Sequence, residues 1–194
     1  EGYRHGLTTM GWPQPDREAV RRTVGHTLER GYTMLTGDDS PEHQARFRTL
    51  FVESAHELQP ATTRFFPGAQ ELISALRQAG IPTAIVSTKH SDMLARILQR
   101  QNALDWFRLL VGGEQVSHPK PDPEGLLFAM DHLEVSPKDT LYCGDTVIDA
   151  ETAQRAGTHF AAVLNGTTPA RDFASFPHVC IARDLPQLQD FLSL

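Results

Sequence analysis

Three polar clusters follow predicted strands in the later two-thirds of the chain, and their side chains are of types that bind phosphate or a cation. The first, Ser87-Thr88-Lys89, comes directly after the apolar run Ala84-Ile85-Val86. A hydroxyl there, with backbone N–H groups of the turn and the next helix, can hold a phosphate oxygen. Taken alone, Ser87 and Thr88 are more simply interpreted as caps of that helix.

The second cluster is a lysine between prolines, in the segment His118-Pro119-Lys120-Pro121-Asp122-Pro123. Three prolines in five residues fix the backbone, and a lysine held in this way can neutralise a phosphoryl group. The segment equally fits a stiff loop with a solvated lysine and Asp122 as a helix N-cap. The Lys120–Pro121 bond is a candidate for a cis peptide.

The third cluster is a pair of carboxylates in Gly144-Asp145-Thr146-Val147-Ile148-Asp149. Asp145 stands at a predicted strand end and Asp149 one helical turn later, which places both on one face. Two like charges so close are unfavourable without a cation, and hard oxygen ligands suit Mg²⁺. The alternative is a helix cap at Asp145 and a surface acid at Asp149.

The elements that must position these clusters alternate between strand and helix from residue 65 onward. Apolar runs predict strands at 82–87, 109–112, 140–143, 159–164 and 178–182. Helices are predicted after Pro67-Gly68, ending at Gly80, and at 92–100, 124–133, 147–156 and 185–192. Strands that are apolar throughout, separated by helices, predict a parallel sheet covered on both faces, which binds ligands at the carboxyl ends of its strands.

The first 64 residues have a different pattern, with no convincing strand. Helices are predicted at 1–10, at 17–24 with Asp16 as N-cap, and at 41–58. We therefore predict two domains, a small helical domain over residues 1–64 and an α/β domain over residues 65–194.

Together the three clusters form an ordered set, each on its own strand–helix step, and this set resembles the haloacid dehalogenase superfamily, in particular its phosphoglycolate phosphatase-like branch. Val86-Ser87-Thr88-Lys89 is similar to the branch's V-T-N-K, Lys120-Pro121-Asp122-Pro123 with Leu126 to its K-P-x-P-x-x-L, and Gly144-Asp145 with Asp149 to its acidic motif. Phe66-Pro67-Gly68 resembles the Y-P-G that returns the chain from cap to core. The resemblance implies a three-layer, Rossmann-like α/β core with an α-helical cap.

The resemblance also implies a reaction, the Mg²⁺-dependent hydrolysis of a small phosphate monoester through an aspartyl-phosphate. Ser87 and Lys120 would stabilise the transferred phosphoryl group, with Thr88 beside them binding phosphate. Asp145 and Asp149 would serve the metal, Asp149 as a ligand or by orienting a metal-bound water. Gly25 and His26 are candidates for substrate contact from the cap, although an exposed histidine at a helix end is the simpler interpretation of His26.

The family's first motif, D-x-D-G-T, which carries the nucleophile and the general acid, is absent from these 194 residues. We therefore expect the core to lack its first strand in this sequence, with the nucleophile on a segment outside it. If that segment does not exist, the alternative is a catalytically inactive phosphate-binding or regulatory protein, which the presence of the other site residues disfavours. A β-phosphoglucomutase-type phosphotransferase is a further alternative, but Leu28 stands where that branch has a cap arginine.

Composition and charge exclude several classes of partner and site. The net charge of −6 without a basic run argues against nucleic acid or an anionic membrane as partner, and no apolar run reaches the ~20 residues that span a bilayer. Two cysteines without metal-binding spacing predict buried thiols in a reducing compartment. We expect a cytoplasmic monomer or homodimer whose partner is a small phosphorylated metabolite; its identity is not readable from the sequence.

Overall fold

The computed structural model describes residues 1–194 apart from the side chain of Glu57. The chain divides into two compact units, Glu1–Thr63 and Arg64–Leu194. None of the described helices is both long and apolar enough to cross a membrane.

The first unit is built from helices, and the described residues of this unit contain no strand. Its helices are α1 (Gly2–Thr9), α2 (Arg17–Arg21), α3 (Leu28–Thr36) and α4 (Pro41–Thr62). The three predicted helices are confirmed with shifted ends, and Asp16 caps α2 by accepting from the Ala19 N–H over 3.0 Å. Leu7, Tyr32 and Phe47 are fully buried and form the core between the helices.

A hydrogen-bonded network centred on Asp38 closes the loop between α3 and α4. Tyr32 donates its hydroxyl proton to Asp38 Oδ2 over 2.8 Å and accepts from Trp12 Nε1 over 3.1 Å. His43 Nδ1 lies 2.6 Å from the same carboxylate oxygen, and the Ser40 N–H donates to Oδ1 over 2.9 Å. The Ser40 N–H, His43 and Tyr32 together lower the pKa of Asp38 to about 2.

We expect Asp38→Asn to lower the thermal midpoint at pH 7, because the amide cannot replace a carboxylate that accepts from three donors. The pKa of Asp38 is lower in the folded state than in the unfolded state, so its carboxylate stabilises the fold at pH values above the unfolded pKa of about 3.9. This stabilisation is lost as the pH falls through about 2. The gap between the two melting curves, followed by circular dichroism, should therefore close on acidification. The exposed neighbour Asp39, as Asp39→Asn, is the matched control, and an equal effect there would contradict the assignment.

The second unit alternates strands and helices as the sequence pattern predicts. Its strands are β1 (Ala84–Val86), β2 (Leu109–Val111), β3 (Leu141–Gly144), β4 (His159–Val163) and β5 (Cys180–Ala182). Its helices are α5 (Ala69–Gln78), α6 (Ser91–Arg100), α7 (Glu124–Leu133), α8 (Val147–Ala156), α9 (Ala170–Phe173) and α10 (Leu185–Leu192). The bounds of α7, α8 and α10 match their predictions, whereas α9 is a single short turn that no periodicity could reveal.

All strand pairs in this unit are parallel, but the described strands form two sheets rather than one. β1 pairs with β2, and β3, β4 and β5 form the other sheet in that order. The two sheets are neighbours, because the Tyr142 hydroxyl on β3 lies 3.4 Å from the Val86 carbonyl on β1. β1 pairs with β2 alone and β3 with β4 alone, so each of β1 and β3 has one edge without a strand partner among the described residues.

Helices cover both faces of the three-stranded sheet, which makes the second unit a three-layer α/β fold. Successive residues of β4 point to opposite faces. Ala161 and Val163 pack with Leu72 of α5 and Leu188 of α10. On the other face, two further β4 residues pack with α8 and α9 in a cluster of Ala150, Ala153, Phe160, Ala162 and Phe173. β4 is therefore the buried centre of the sheet.

The prediction that both cysteines are buried is wrong for Cys143, which is exposed, and Cys180 is only partly buried. Cys143 lies on β3, which has a free edge. The apolar pattern of a strand predicts that its side chains are buried, but at such an edge a side chain can remain exposed.

Candidate functional site

The first polar cluster lies where the sequence places it, in the turn after β1. The Ser87 N–H donates to the Val111 carbonyl over 2.9 Å and so extends the ladder between β1 and β2 by one residue. Ser87 Oγ accepts from the Lys89 N–H over 3.1 Å, which fixes the turn. A serine hydroxyl that accepts one bond can still donate its own proton, so this geometry suits an anion beside the turn.

Ser87, Thr88 and Lys120 line one pocket, although 32 residues separate Thr88 from Lys120 in the sequence. The pocket is an open cleft, and its wall also includes residues of the loop after β2 and the loop before α7: Gly112, Gly113, His118 and Pro119. The apolar residues Val86, Val111 and Val116 form another part of the wall. Two hydroxyl-bearing residues and one lysine thus line a common cleft.

Lys120 is held in a nearly enclosed ion pair with Asp149. Its Nζ donates to Asp149 Oδ1 over 2.7 Å and to the Tyr142 hydroxyl over 3.2 Å, and only 13% and 7% of the Lys120 and Asp149 side chains are exposed. Burial works against the ammonium ion, but Tyr142 and Asp149 outweigh it, so the pKa of Lys120 is raised. The Lys120–Pro121 peptide is cis. The lysine is therefore a fixed charge, not a solvated one.

Asp149 is saturated by hydrogen bonds. Besides Lys120 and Tyr142 at Oδ1, its Oδ2 accepts from the Thr146 N–H over 3.1 Å and the Thr146 hydroxyl over 2.7 Å. These four donors match the roughly four lone-pair positions of a carboxylate. Burial raises the pKa of Asp149, but the charge of Lys120 outweighs it, and the net shift is downward. This arrangement favours Asp149 as the residue that holds Lys120; its role at a metal stays a prediction.

Asp145 stands at the end of β3 with its carboxylate against the loop after β4. A Cβ atom at Gly166 would lie 2.0 Å from Asp145 Oδ2, so only glycine fits there. Burial, and then the negative charge of Asp149, raise the pKa of Asp145. A half-buried carboxylate disfavoured in its charged form by a second carboxylate is the setting in which a divalent cation is stabilising. The residues present therefore fit the predicted Mg²⁺, and the role of Asp145 as its ligand stays a prediction.

Glu124, which the sequence analysis did not single out, fixes the loop that carries Lys120. Its two oxygens accept from the backbone N–H groups of Ser117 and His118, each over 2.8 Å, and His118 Nδ1 lies 3.0 Å away. His118, Asp122 and Glu124 are close enough together to hold a metal ion, but the hydrogen bonds already made by Glu124 give it a structural role here. The sequence signal that could have identified Glu124 is its place as an acidic residue directly after the K-P-x-P segment.

We expect Glu124→Ala to lower kcat by about tenfold while leaving the fold intact, because displacing a catalytic group by ~1 Å can cost up to 100-fold. Steady-state kinetics with a phosphate ester measures this. Glu71→Ala, an exposed glutamate in the first turn of α5, is the matched control. Equal rates for both variants would show that the Glu124 bonds do not position Lys120.

Gly25 and His26 lie in the other unit, in the turn between α2 and α3. Gly25 has a φ of +92°, which favours glycine, and burial followed by the nearby Arg30 charge lowers the pKa of His26. Their predicted contact with substrate stays a prediction.

Comparison with known proteins identifies the family of this chain. Residues 1–163 match the family described as haloacid dehalogenase-like hydrolase. The phosphoglycolate phosphatase of Nitrosospira multiformis is 32% identical over 171 residues, which cover 86% of this chain and 75% of the relative. This chain belongs to the haloacid dehalogenase-like hydrolase family. The resemblance, the α/β fold class and the assignment to phosphoric monoester hydrolases are thereby confirmed at the level of the family.

Other members of the haloacid dehalogenase-like family fit the same assignment. The phosphoglycolate phosphatase of Pseudomonas putida is 30% identical over 175 residues, which cover 85% of this chain but 62% of that protein. A solved structure described as a haloacid dehalogenase-like hydrolase from Bacteroides fragilis is 36% identical with a TM-score of 0.93, covering 96% of this chain and 89% of that one. The chain thus spans most, but not all, of the relatives it matches.

Proposed function

We propose that this chain supplies the phosphate-binding and cation-binding parts of a Mg²⁺-dependent phosphatase site that hydrolyses a small phosphate monoester. The observation that carries the proposal is the ion pair between Lys120 and Asp149 at the wall of a pocket also lined by Ser87 and Thr88. A buried lysine is suited to bind an anion when a carboxylate balances its charge and the lysine also lines an open pocket.

Each residue has a distinct task in this proposal. Ser87 and Thr88 donate hydrogen bonds to the non-bridging oxygens of the phosphate group, and Lys120 balances the charge that these oxygens carry in the transition state. Asp149 keeps Lys120 oriented and protonated. Asp145 holds Mg²⁺, which when bound polarises the phosphoryl group and offsets its charge.

The nucleophilic aspartate is proposed to come from a D-x-D-G-T segment outside these 194 residues. The free edges of β1 and β3 support this, because a parallel strand between them would join the two sheets and place its carboxyl end beside Ser87 and Asp145. Such a strand would also pair the backbone groups along both edges, which are otherwise left without ladder partners.

Phosphoglycolate is the first substrate to test, because the relatives at 30–32% identity are phosphoglycolate phosphatases. The assay uses the chain expressed with whatever coding sequence precedes Glu1 in its gene, and follows inorganic phosphate released from phosphoglycolate, a hexose phosphate and a nucleoside monophosphate. We expect release that requires Mg²⁺ and is abolished by EDTA. No release from any of the three, at saturating Mg²⁺ and with a D-x-D-G-T segment present, would contradict the proposal.

A further inference from the structure

The hydroxyl of Tyr142 lies at the centre of the site and contacts three of its parts. It accepts from Lys120 Nζ over 3.2 Å, and it lies 3.3 Å from Asp149 Oδ1 and 3.4 Å from the Val86 carbonyl oxygen. No motif in the sequence points to this residue, which reads as an ordinary strand position before Gly144 and Asp145.

These contacts connect the lysine to the strand that carries the phosphate-binding turn. Val86 is the last residue of β1, and Ser87 follows it directly. A phenolic hydroxyl has one proton and can also accept, so Tyr142 receives one bond from Lys120 while its own proton faces Asp149 and Val86. The hydroxyl therefore ties the position of the ammonium group to the end of β1 as well as to Asp149.

The same contacts determine where the remaining proton of the ammonium group points. Lys120 has three N–H bonds, one directed to Asp149 and one to Tyr142. With two directions fixed, the third is fixed as well, and Lys120 lies in the wall of the pocket shared with Ser87 and Thr88. Burial raises the pKa of Tyr142 to about 12, so the hydroxyl keeps its proton at neutral pH.

We propose that Tyr142 is a positioning residue, which aims the Lys120 ammonium group at the phosphate pocket and so sets the affinity of the pocket for a phosphate group. The inference rests on the proposed function and adds a residue to its machinery. Without the hydroxyl, Asp149 alone holds the lysine, and the ammonium group can rotate away from the pocket about the remaining bond.

The test measures the binding of inorganic phosphate to the chain by isothermal titration calorimetry. Tyr142→Phe removes only the hydroxyl, and we expect about fivefold weaker phosphate binding, the size of one hydrogen bond. Tyr3→Phe is the matched control, since Tyr3 also loses a hydroxyl, the one that contacts Thr23 in the other unit, and its phosphate affinity should not change. Thermal midpoints of both variants show whether any effect merely follows lost stability.

A double-substitution cycle with Lys120→Ala separates positioning from a general structural effect. If Tyr142 acts through Lys120, then Tyr142→Phe should weaken phosphate binding in the natural chain and have no further effect once Lys120 is alanine. Should Lys120→Ala fail to fold, Lys120→Arg takes its place in the cycle.

The outcomes distinguish this inference from the function on which it rests. Unchanged affinity in Tyr142→Phe, or an equal loss in both backgrounds, overturns the role of Tyr142 and leaves the phosphate site standing. Absence of phosphate binding by the unsubstituted chain overturns both.

Discussion

Replacing Lys120 with alanine should lower kcat for phosphate-ester hydrolysis by two or more orders of magnitude, the largest loss expected from a single change in this chain. Lys120 lines the pocket that is proposed to bind phosphate, and its ammonium group is the charge that would balance the transferred phosphoryl oxygens. Steady-state kinetics on the preferred ester measures the loss. KM should change less than kcat, because Lys120 is proposed to stabilise the transition state more than the bound substrate.

The same substitution should also destabilise the second unit, because it leaves the Asp149 carboxylate buried beside no cation. Breaking a buried ion pair in this way costs on the order of 3–5 kcal/mol. Lys138→Ala, an exposed lysine, is the matched control and should affect neither rate nor stability. A Lys120→Ala protein that loses stability but retains kcat would show that the lysine is only structural.

Replacing Asp145 with asparagine should abolish Mg²⁺-dependent turnover while preserving the fold. The amide is nearly isosteric with the carboxylate but is a much weaker ligand for a hard cation. We also expect the thermal midpoint without Mg²⁺ to stay the same or rise. Burial and the charge of Asp149 raise the pKa of Asp145, so its ionised form opposes folding near neutral pH.

The shift in thermal midpoint on adding Mg²⁺ measures cation binding independently of catalysis. Mg²⁺ that binds the folded chain should raise its midpoint, and Asp145→Asn should remove that rise. Asp131→Asn, an exposed acid on α7, should behave like the natural chain. An undiminished Mg²⁺ shift in Asp145→Asn would place the cation elsewhere.

The sequence predicted the elements of the second unit well, because its helices carry their own start and stop signals. α8 begins with a Thr146–Asp149 capping box and ends at Gly157 in the left-handed region, with a φ of +73°. In the first unit such signals were weaker. α3 was missed because Gly31 interrupts its pattern, yet a Cβ there would lie 2.1 Å from the Tyr3 hydroxyl, so packing requires this glycine.

The end of α4 shows a similar limit. The prediction stopped at residue 58, before Pro60, whereas the helix continues to Thr62 with Pro60 inside its last turn. A proline removes one hydrogen bond near a helix end, where the cost is small enough for the helix to continue.

The places of the candidate site residues could be predicted from the sequence, but their connections could not. Motifs singled out Ser87, Lys120, Asp145 and Asp149, each in a segment that follows a predicted strand. The bonds from Lys120 to Asp149 and from Tyr142 to Val86 join residues 29 and 56 positions apart, and no local pattern encodes them. Gly166 was missed for the same reason, because glycine is required at this position only where the side chain of Asp145 packs against it.

A crystal structure of the chain grown with Mg²⁺ and orthophosphate would show directly whether this pocket binds phosphate. We expect a phosphate ion in the pocket bonded to Ser87 and Lys120, with the cation on the Asp145 carboxylate. A phosphate ion bound elsewhere, or a pocket without one at saturating phosphate, would contradict it.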